Sequence, residues 1–223
     1  MKDTFVSCLC PTYGRFPHDG WMLEECVYWF TRRTHRPAEL LILNDAPNQE
    51  LVCTVPDVRV INLPARFDTL GKKYNHMVFD AHGHVLMPWE DDDINLPNRI
   101  EGCLEGLGRH EYFNPKMAYF QVGRHGVIQR CSPHSVHHNT SAFTRKAFHR
   151  AGGYSAELCG PQDADMDQRL RGTADVAPAD GVPRYVYRWQ HASGYKNLSG
   201  NPDPLAAYAK LRSEEHTSEL QSL

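Results

Sequence analysis

Apolar residues in this chain gather in short unbroken runs rather than alternating with polar ones. Thr4-Phe5-Val6-Ser7-Cys8-Leu9-Cys10, Glu39-Leu40-Leu41-Ile42-Leu43-Asn44 and His84-Val85-Leu86-Met87-Pro88-Trp89 each read as a strand, and the alternating Val58-Arg59-Val60-Ile61-Asn62-Leu63 as another. Pro11 and Pro64 are expected to end two of these runs. Between them, Met22, Leu23, Cys26, Trp29 and Phe30 recur at helical spacing from Trp21 to Arg33, and residues 70–81 read as a second helix. Strands with no polar face, separated by helices, imply an α/β fold with a mostly parallel sheet covered on both sides. Ligands of such sheets bind at the carboxyl ends of the strands. Thr12, Tyr13 and Arg15, then Asp45, then Glu90-Asp91-Asp92-Asp93 fall at those ends.

The second half is less regular. Residues 97–107, 144–151 and 163–171 read as helices, 116–122 and 127–131 as a hairpin around Gly123-Arg124-His125-Gly126, and 184–189 as a strand. With no repeat and no linker, residues 1–212 read as one domain. Within it, the regular first half spans about 1–100 and the less regular second half about 101–200. The last eleven residues, Ser213 to Leu223, resemble a translated sequencing adapter and are expected to be non-native and to bury nothing.

Composition narrows the function classes. With 223 residues, 41% hydrophobic and 23% charged, the chain has enough apolar mass for a real core. A net charge of −3 gives no support for a nucleic-acid-binding surface. No run approaches a membrane span, and the first residues lack a signal-peptide core. The expected compartment is the cytosol, at most peripheral to the inner membrane face. Seven cysteines without a Cys-x-x-Cys pair read as reduced thiols, with Cys8 and Cys10 on one strand face as packing. Thirteen histidines include no His-Glu-x-x-His spacing.

The acidic run is the main chemical signal. Four carboxylates at one strand tip repel one another unless something positive sits among them. Mg²⁺ or Mn²⁺ is the expected cation, since these ions take one or two carboxylates and share themselves with substrate phosphates. A solvated acidic turn before the helix near Pro97 is the plainer alternative.

Taken together, the strand tips resemble the nucleotide-sugar-binding half of the GT-A fold glycosyltransferases, most of all family 2. Val6 to Arg15, with Pro11-Thr12-Tyr13-Gly14-Arg15, is similar to that family's first strand and the turn that approaches the nucleotide base. Asp45 stands where the family has a base-binding Asp, and Gly71-Lys72-Lys73-Tyr74-Asn75 looks like its Gly-x-x-x-Asn helix entrance near the nucleotide. Glu90-Asp91-Asp92-Asp93, followed by Pro97 and Arg99, resembles its Asp-x-Asp motif. Gly152-Gly153-Tyr154, followed by Gln162-Asp163-Ala164-Asp165, resembles its late motif pair.

The resemblance implies an inverting, metal-dependent transfer of a sugar from an NDP-sugar, UDP-linked, to a glycan, lipid-linked or small-molecule acceptor hydroxyl. It implies Asp92 as the metal ligand, with His191 on the metal or diphosphate. Glu90 and Asp91 would face the ribose or bind the metal through water, and Asp163 would be the general base. Residues of about 1–100 would form the donor-binding half and about 101–200 the acceptor or catalytic half. Gln162 and Glu90 depart from the family's usual Glu and Asp. Arg188 and Lys196 are phosphate partners or solvated charges, and Trp89 and Trp189 are sugar-stacking or core residues. Two alternatives stay open: an impaired relative acting as a sugar-nucleotide or protein-binding module, and a nucleotidylyltransferase, whose Gly-rich signature this chain lacks.

Overall fold

The structure is a computed structural model that describes residues 3–16, 19–122, 128–131, 138–158 and 162–189. His191, Lys196, the Gly123–Gly126 turn and the 213–223 tail lie outside them, as does the side chain of Trp189. The elements in order are β1 (Val6–Thr12), α1 (Gly20–Thr31), β2 (Ala38–Asn44), β3 (Val58–Asn62), α2 (Leu70–Asp80), β4 (Val85–Pro88), β5 (Ile94–Asn95) and α3 (Arg99–Leu107). There follow β6 (Tyr112–Phe113), β7 (Ala118–Val122), β8 (Gln129–Cys131), a 3₁₀ turn (His138–Thr140), β9 (Ala142–Thr144), α4 (Arg145–Arg150), α5 (Gln162–Thr173) and β10 (Tyr185–Trp189).

The main sheet has the order β3-β2-β1-β4-β9-β6. Its first four strands are parallel, while β9 runs antiparallel to both β4 and β6. The unbroken apolar runs are explained by burial on both faces. Cys8, Cys10, Leu40, Ile42 and Met87 pack one way, against Cys26 and Phe30 of α1 and Ile100 and Leu104 of α3. Leu9, Leu41, Leu43 and Leu86 pack the other way, against Tyr74 and Met77 of α2 and Met166 and Leu170 of α5. Trp89 belongs to the first cluster, 1% exposed and edge-on to Phe30 at 5.9 Å, so its place is the core.

One boundary differs from expectation. β1 continues through Pro11 to Thr12. Leu9 turns its carbonyl toward Trp89 N–H (2.8 Å) on the β4 side. Pro11, two residues on, therefore faces the same side, past the last β4 pairing at Leu9 and Pro88. The missing N–H of Pro11 thus forfeits no ladder bond.

A second sheet, β5-β10-β7-β8, pairs β10 parallel to β7 and antiparallel to β5, and includes the expected hairpin as β7 and β8. It lies against the acidic segment. Asp93, 0% exposed, accepts from the Tyr185 hydroxyl and from Arg188 N–H (2.6 Å), which anchors that segment to β10.

Candidate active site

The carboxyl ends of β1, β2 and β4 bring the sequence-predicted residues to one edge. Gly14, at φ +61°, reverses the chain just after β1 in a conformation that strongly favours glycine. Arg15 thereby folds back over the acidic run. Its Nε and Nη2 grip Asp91 at 2.7 and 2.6 Å, Thr12 Oγ1 donates to the same carboxylate at 2.6 Å, and Asp92 lies 3.5 Å from Nη2. The positive charge that four carboxylates require is therefore supplied in part by the protein itself. Asp91 is 2% exposed with both oxygens engaged, so in this structure it braces Arg15 rather than facing the opening.

Asp45 is likewise enclosed. It is 0% exposed, with Oδ1 on Lys73 Nζ at 2.6 Å and Oδ2 accepting from Phe67 N–H at 2.9 Å. Lys73 also donates to the Thr12 carbonyl at 2.5 Å, tying β1, β2 and α2 together at their ligand-facing ends. Lys72 points outward to Asp68, across one helical turn. Tyr13 remains exposed, and the Arg66 guanidinium lies over its ring at 4.1 Å. Arg66, Phe67 and Lys73 were not singled out from sequence. For Lys73 a signal existed: it lies four residues before Met77, on the buried stripe of α2.

Glu90 accepts a 2.5 Å bond from the Tyr74 hydroxyl. Burial first, then the nearby Asp163 and Asp92 carboxylates, hold its pKa well above the usual range. Asp163, in the first turn of α5, is thus brought from the second half of the chain to the acidic strand tip. The other acids of α5 are committed to the scaffold. Asp165 pairs with Arg169, while Asp167 pairs with Arg171 (2.6 Å) and accepts from Asn114 (3.1 Å).

Two motif residues expected near the nucleotide, Asn75 and Gly71, form a joint between α2 and the Gly152-Gly153-Tyr154 segment. Asn75 donates to the Tyr154 carbonyl (2.9 Å) and accepts from Tyr154 N–H (2.8 Å), holding the Gly152-Gly153-Tyr154 turn on α2. Gly153 has φ +72°, and an added Cβ would meet Asn75 Oδ1 at 2.9 Å. Gly71, one turn before Asn75, lies so close to the same segment that an added Cβ would stand 2.0 Å from the Ser155 carbonyl oxygen. Tyr74 and Tyr154 stack across the joint at 4.7 Å. Gly71→Ala is expected to lower stability by about 1–3 kcal/mol through overpacking, read as a lower urea midpoint.

The joint also contains a buried imidazole. His138 Nε2 lies 2.5 Å from the Tyr154 hydroxyl, and Ser141 Oγ lies 3.3 Å from Nδ1. Burial pushes the His138 pKa down to about 4, against a smaller upward pull from Asp167. The unfolded chain binds this proton near pH 6.5, so the stabilisation is whole above that value and is lost as pH falls toward 4. Between pH 7 and pH 5 the loss from this group is about 2 kcal/mol. Urea titrations at the two values check it, and His138→Gln should flatten the difference.

Among the described residues, no three His, Cys, Asp or Glu side chains gather as a metal cage. Glu90, Asp91 and Asp93 are bonded to Tyr74, Arg15 and Tyr185, and Asp92 lies 3.5 Å from the Arg15 guanidinium. That donor set fits Mg²⁺ or Mn²⁺ arriving with a diphosphate, which supplies most of the oxygens, and does not fit an ion held by protein alone.

No protein-family model and no curated protein matches the chain significantly. Solved structures do match. S. aureus TarS 1-349 in complex with UDP-GlcNAc aligns with TM-score 0.66 and 12% identity, over 90% of this chain and 62% of that one. Mannosyltransferase PcManGT from Pyrobaculum calidifontis, in complex with GDP-Man and Mn²⁺, aligns with TM-score 0.59 and 15% identity, over 86% of this chain and 59% of that one. The chain has a GT-A-like fold. A second TarS structure aligns with TM-score 0.64 and 13% identity over 83% of this chain, which spans only 37% of that one. The GT-A-like sheet accounts for the parallel strands β3-β2-β1-β4. Among the described residues no helix is long and apolar enough to cross a membrane.

Proposed function

We propose that this chain is a metal-dependent, inverting glycosyltransferase of the family 2 type, moving a sugar from a UDP-linked donor to an acceptor hydroxyl. The observation that carries this reading is the convergence of Arg15, Asp92, Glu90 and Asp163 at the carboxyl edge of a GT-A-like sheet. Proteins of similar fold hold UDP-GlcNAc, or GDP-Man with Mn²⁺, which supports the donor class.

In this reading the base enters against Tyr13 and Arg66, beside Pro11 and the Asp45–Lys73 pair. Thr12, Gly71, Lys72 and Asn75 shape and frame that edge, and Glu90 and Asp91 back the ribose. Asp92, which has Arg15 beside it, and His191 would hold the divalent ion. Once bound, that ion stabilises the charge gathering on the departing diphosphate, a contribution of several kcal/mol. Asp163 accepts the proton of the acceptor hydroxyl while its oxygen bonds to the sugar C1 and the C1–O bond to the diphosphate breaks, inverting that carbon.

Calorimetry of UDP in Mn²⁺ and in EDTA tests the donor side. Wild-type protein is expected to bind UDP more tightly in Mn²⁺, and Asp92→Ala to bind with the same affinity in both. Equal wild-type affinity in the two buffers would overturn the metal-dependent reading.

A further inference from the structure

A cavity of about 510 Å³ opens between α1 and the second sheet. Trp21, Glu24, Glu25 and Tyr28 recur at helical spacing, so one stripe of α1 forms one wall. Gln121 and Arg188 form the other; they are paired neighbours on β7 and β10 and so share a sheet face. Tyr185 lies on the opposite face of β10, where its hydroxyl reaches Asp93. No side chain of the acidic run lines the cavity, which adjoins that run at Ile94 and at Arg188, whose backbone N–H is held by Asp93 while its side chain lines the cavity.

The lining has a definite chemistry. Arg188 is 3% exposed, donates to Glu25 Oε2 at 2.7 Å and lies 5.6 Å from the Trp21 ring centre. Earlier placed among phosphate partners or solvated charges, it is buried and ion-paired. Glu25 is thereby compensated, and the wall keeps the exposed acid Glu24 with two aromatic rings and a carboxamide. A phosphate would meet Glu24 and find the guanidinium already paired. A polycation would find one of the two acids neutralised. A neutral sugar matches the exposed parts: its C–H face packs on Tyr28, and its hydroxyls donate to Glu24. The volume is that of a small-ligand site.

We infer that this cavity is a saccharide-binding subsite, distinct from the donor site, that takes a neutral mono- or disaccharide unit. The inference does not depend on the transferase reading. Saturation-transfer NMR on the full chain tests it, with methyl glucoside, methyl mannoside, N-acetylglucosamine and cellobiose as probes and spermidine and inorganic phosphate as controls. Ring protons of at least one sugar should receive saturation, and Tyr28→Ala and Glu24→Gln should each weaken that binding about tenfold. UDP binding, followed separately, should not change. Both side chains are exposed, so both variants should fold. Saturation of no sugar, sugar binding unaltered in both variants, or binding of spermidine or phosphate alone would overturn the inference. A chain that binds sugar here but no UDP would refute the donor-site reading and leave this one standing.

Discussion

Asp163→Asn is expected to leave UDP affinity almost unchanged and to cut turnover by about 10²–10⁴, the usual contribution of a general base. The substitution keeps the shape of the side chain and removes its basic oxygen. The fold isolates the test well. Asp165 and Asp167 are tied to Arg169 and Arg171, so neither should substitute for the missing base. Single-turnover kinetics with a UDP-sugar, beside calorimetry of UDP, separates chemistry from binding. Near-normal turnover in Asp163→Asn with loss in Asp165→Asn would move the base along α5. No loss in either variant of an active enzyme would overturn the inverting mechanism.

Asp45→Ala is expected to act first on stability. Asp45 and Lys73 are 0% and 1% exposed, and removing the carboxylate leaves a buried ammonium without its counter-ion. Breaking such a pair costs about 3–5 kcal/mol, whereas replacing both partners with apolar groups is often close to neutral. The double variant Asp45→Ala/Lys73→Met should therefore recover most of the urea midpoint lost by the single one. If the two variants are equally destabilised, the Phe67 N–H bond to Asp45 matters more than the ion pair. UDP affinity measured in the recovered double variant then reports any role of Asp45 in base binding apart from its role in folding.

The parallel sheet was legible because strands buried on both faces leave continuous apolar runs, as β1, β2 and β4 do. β5, β6 and β9 were not. Each has two or three residues and owes its extended form to the strand beside it, a tertiary cause that local pattern does not carry. In the site, the acidic run and the Thr12–Arg15 turn were visible as charges near strand ends. What each charge faces was not. Asp91 turns to Arg15, Asp93 to Tyr185 and Arg188, and Asp45 to Lys73, and those partners come from other elements. The same holds for Gly71 and Asn75, whose spacing marks a helix entrance but not the turn that docks there.

The joint made by Asn75 and Tyr154 spans 79 residues of chain, and the entropy of closing so long a loop must be met before the tyrosine stack can reward it. β1 pairs with β2, and β2 with β3, over much shorter separations, while β1 and β4 meet across the same 79 residues; all four strands leave the ribosome before Gly153 does. The carboxyl edge of β1–β4 is thus synthesised while the segment bearing Asp163 is still unmade. On the proposed reading, catalytic competence waits on the docking of the Gly152-Gly153-Tyr154 turn on α2. Slowing that event, for instance by crowding Gly71, should delay the appearance of activity during refolding well behind the recovery of sheet structure.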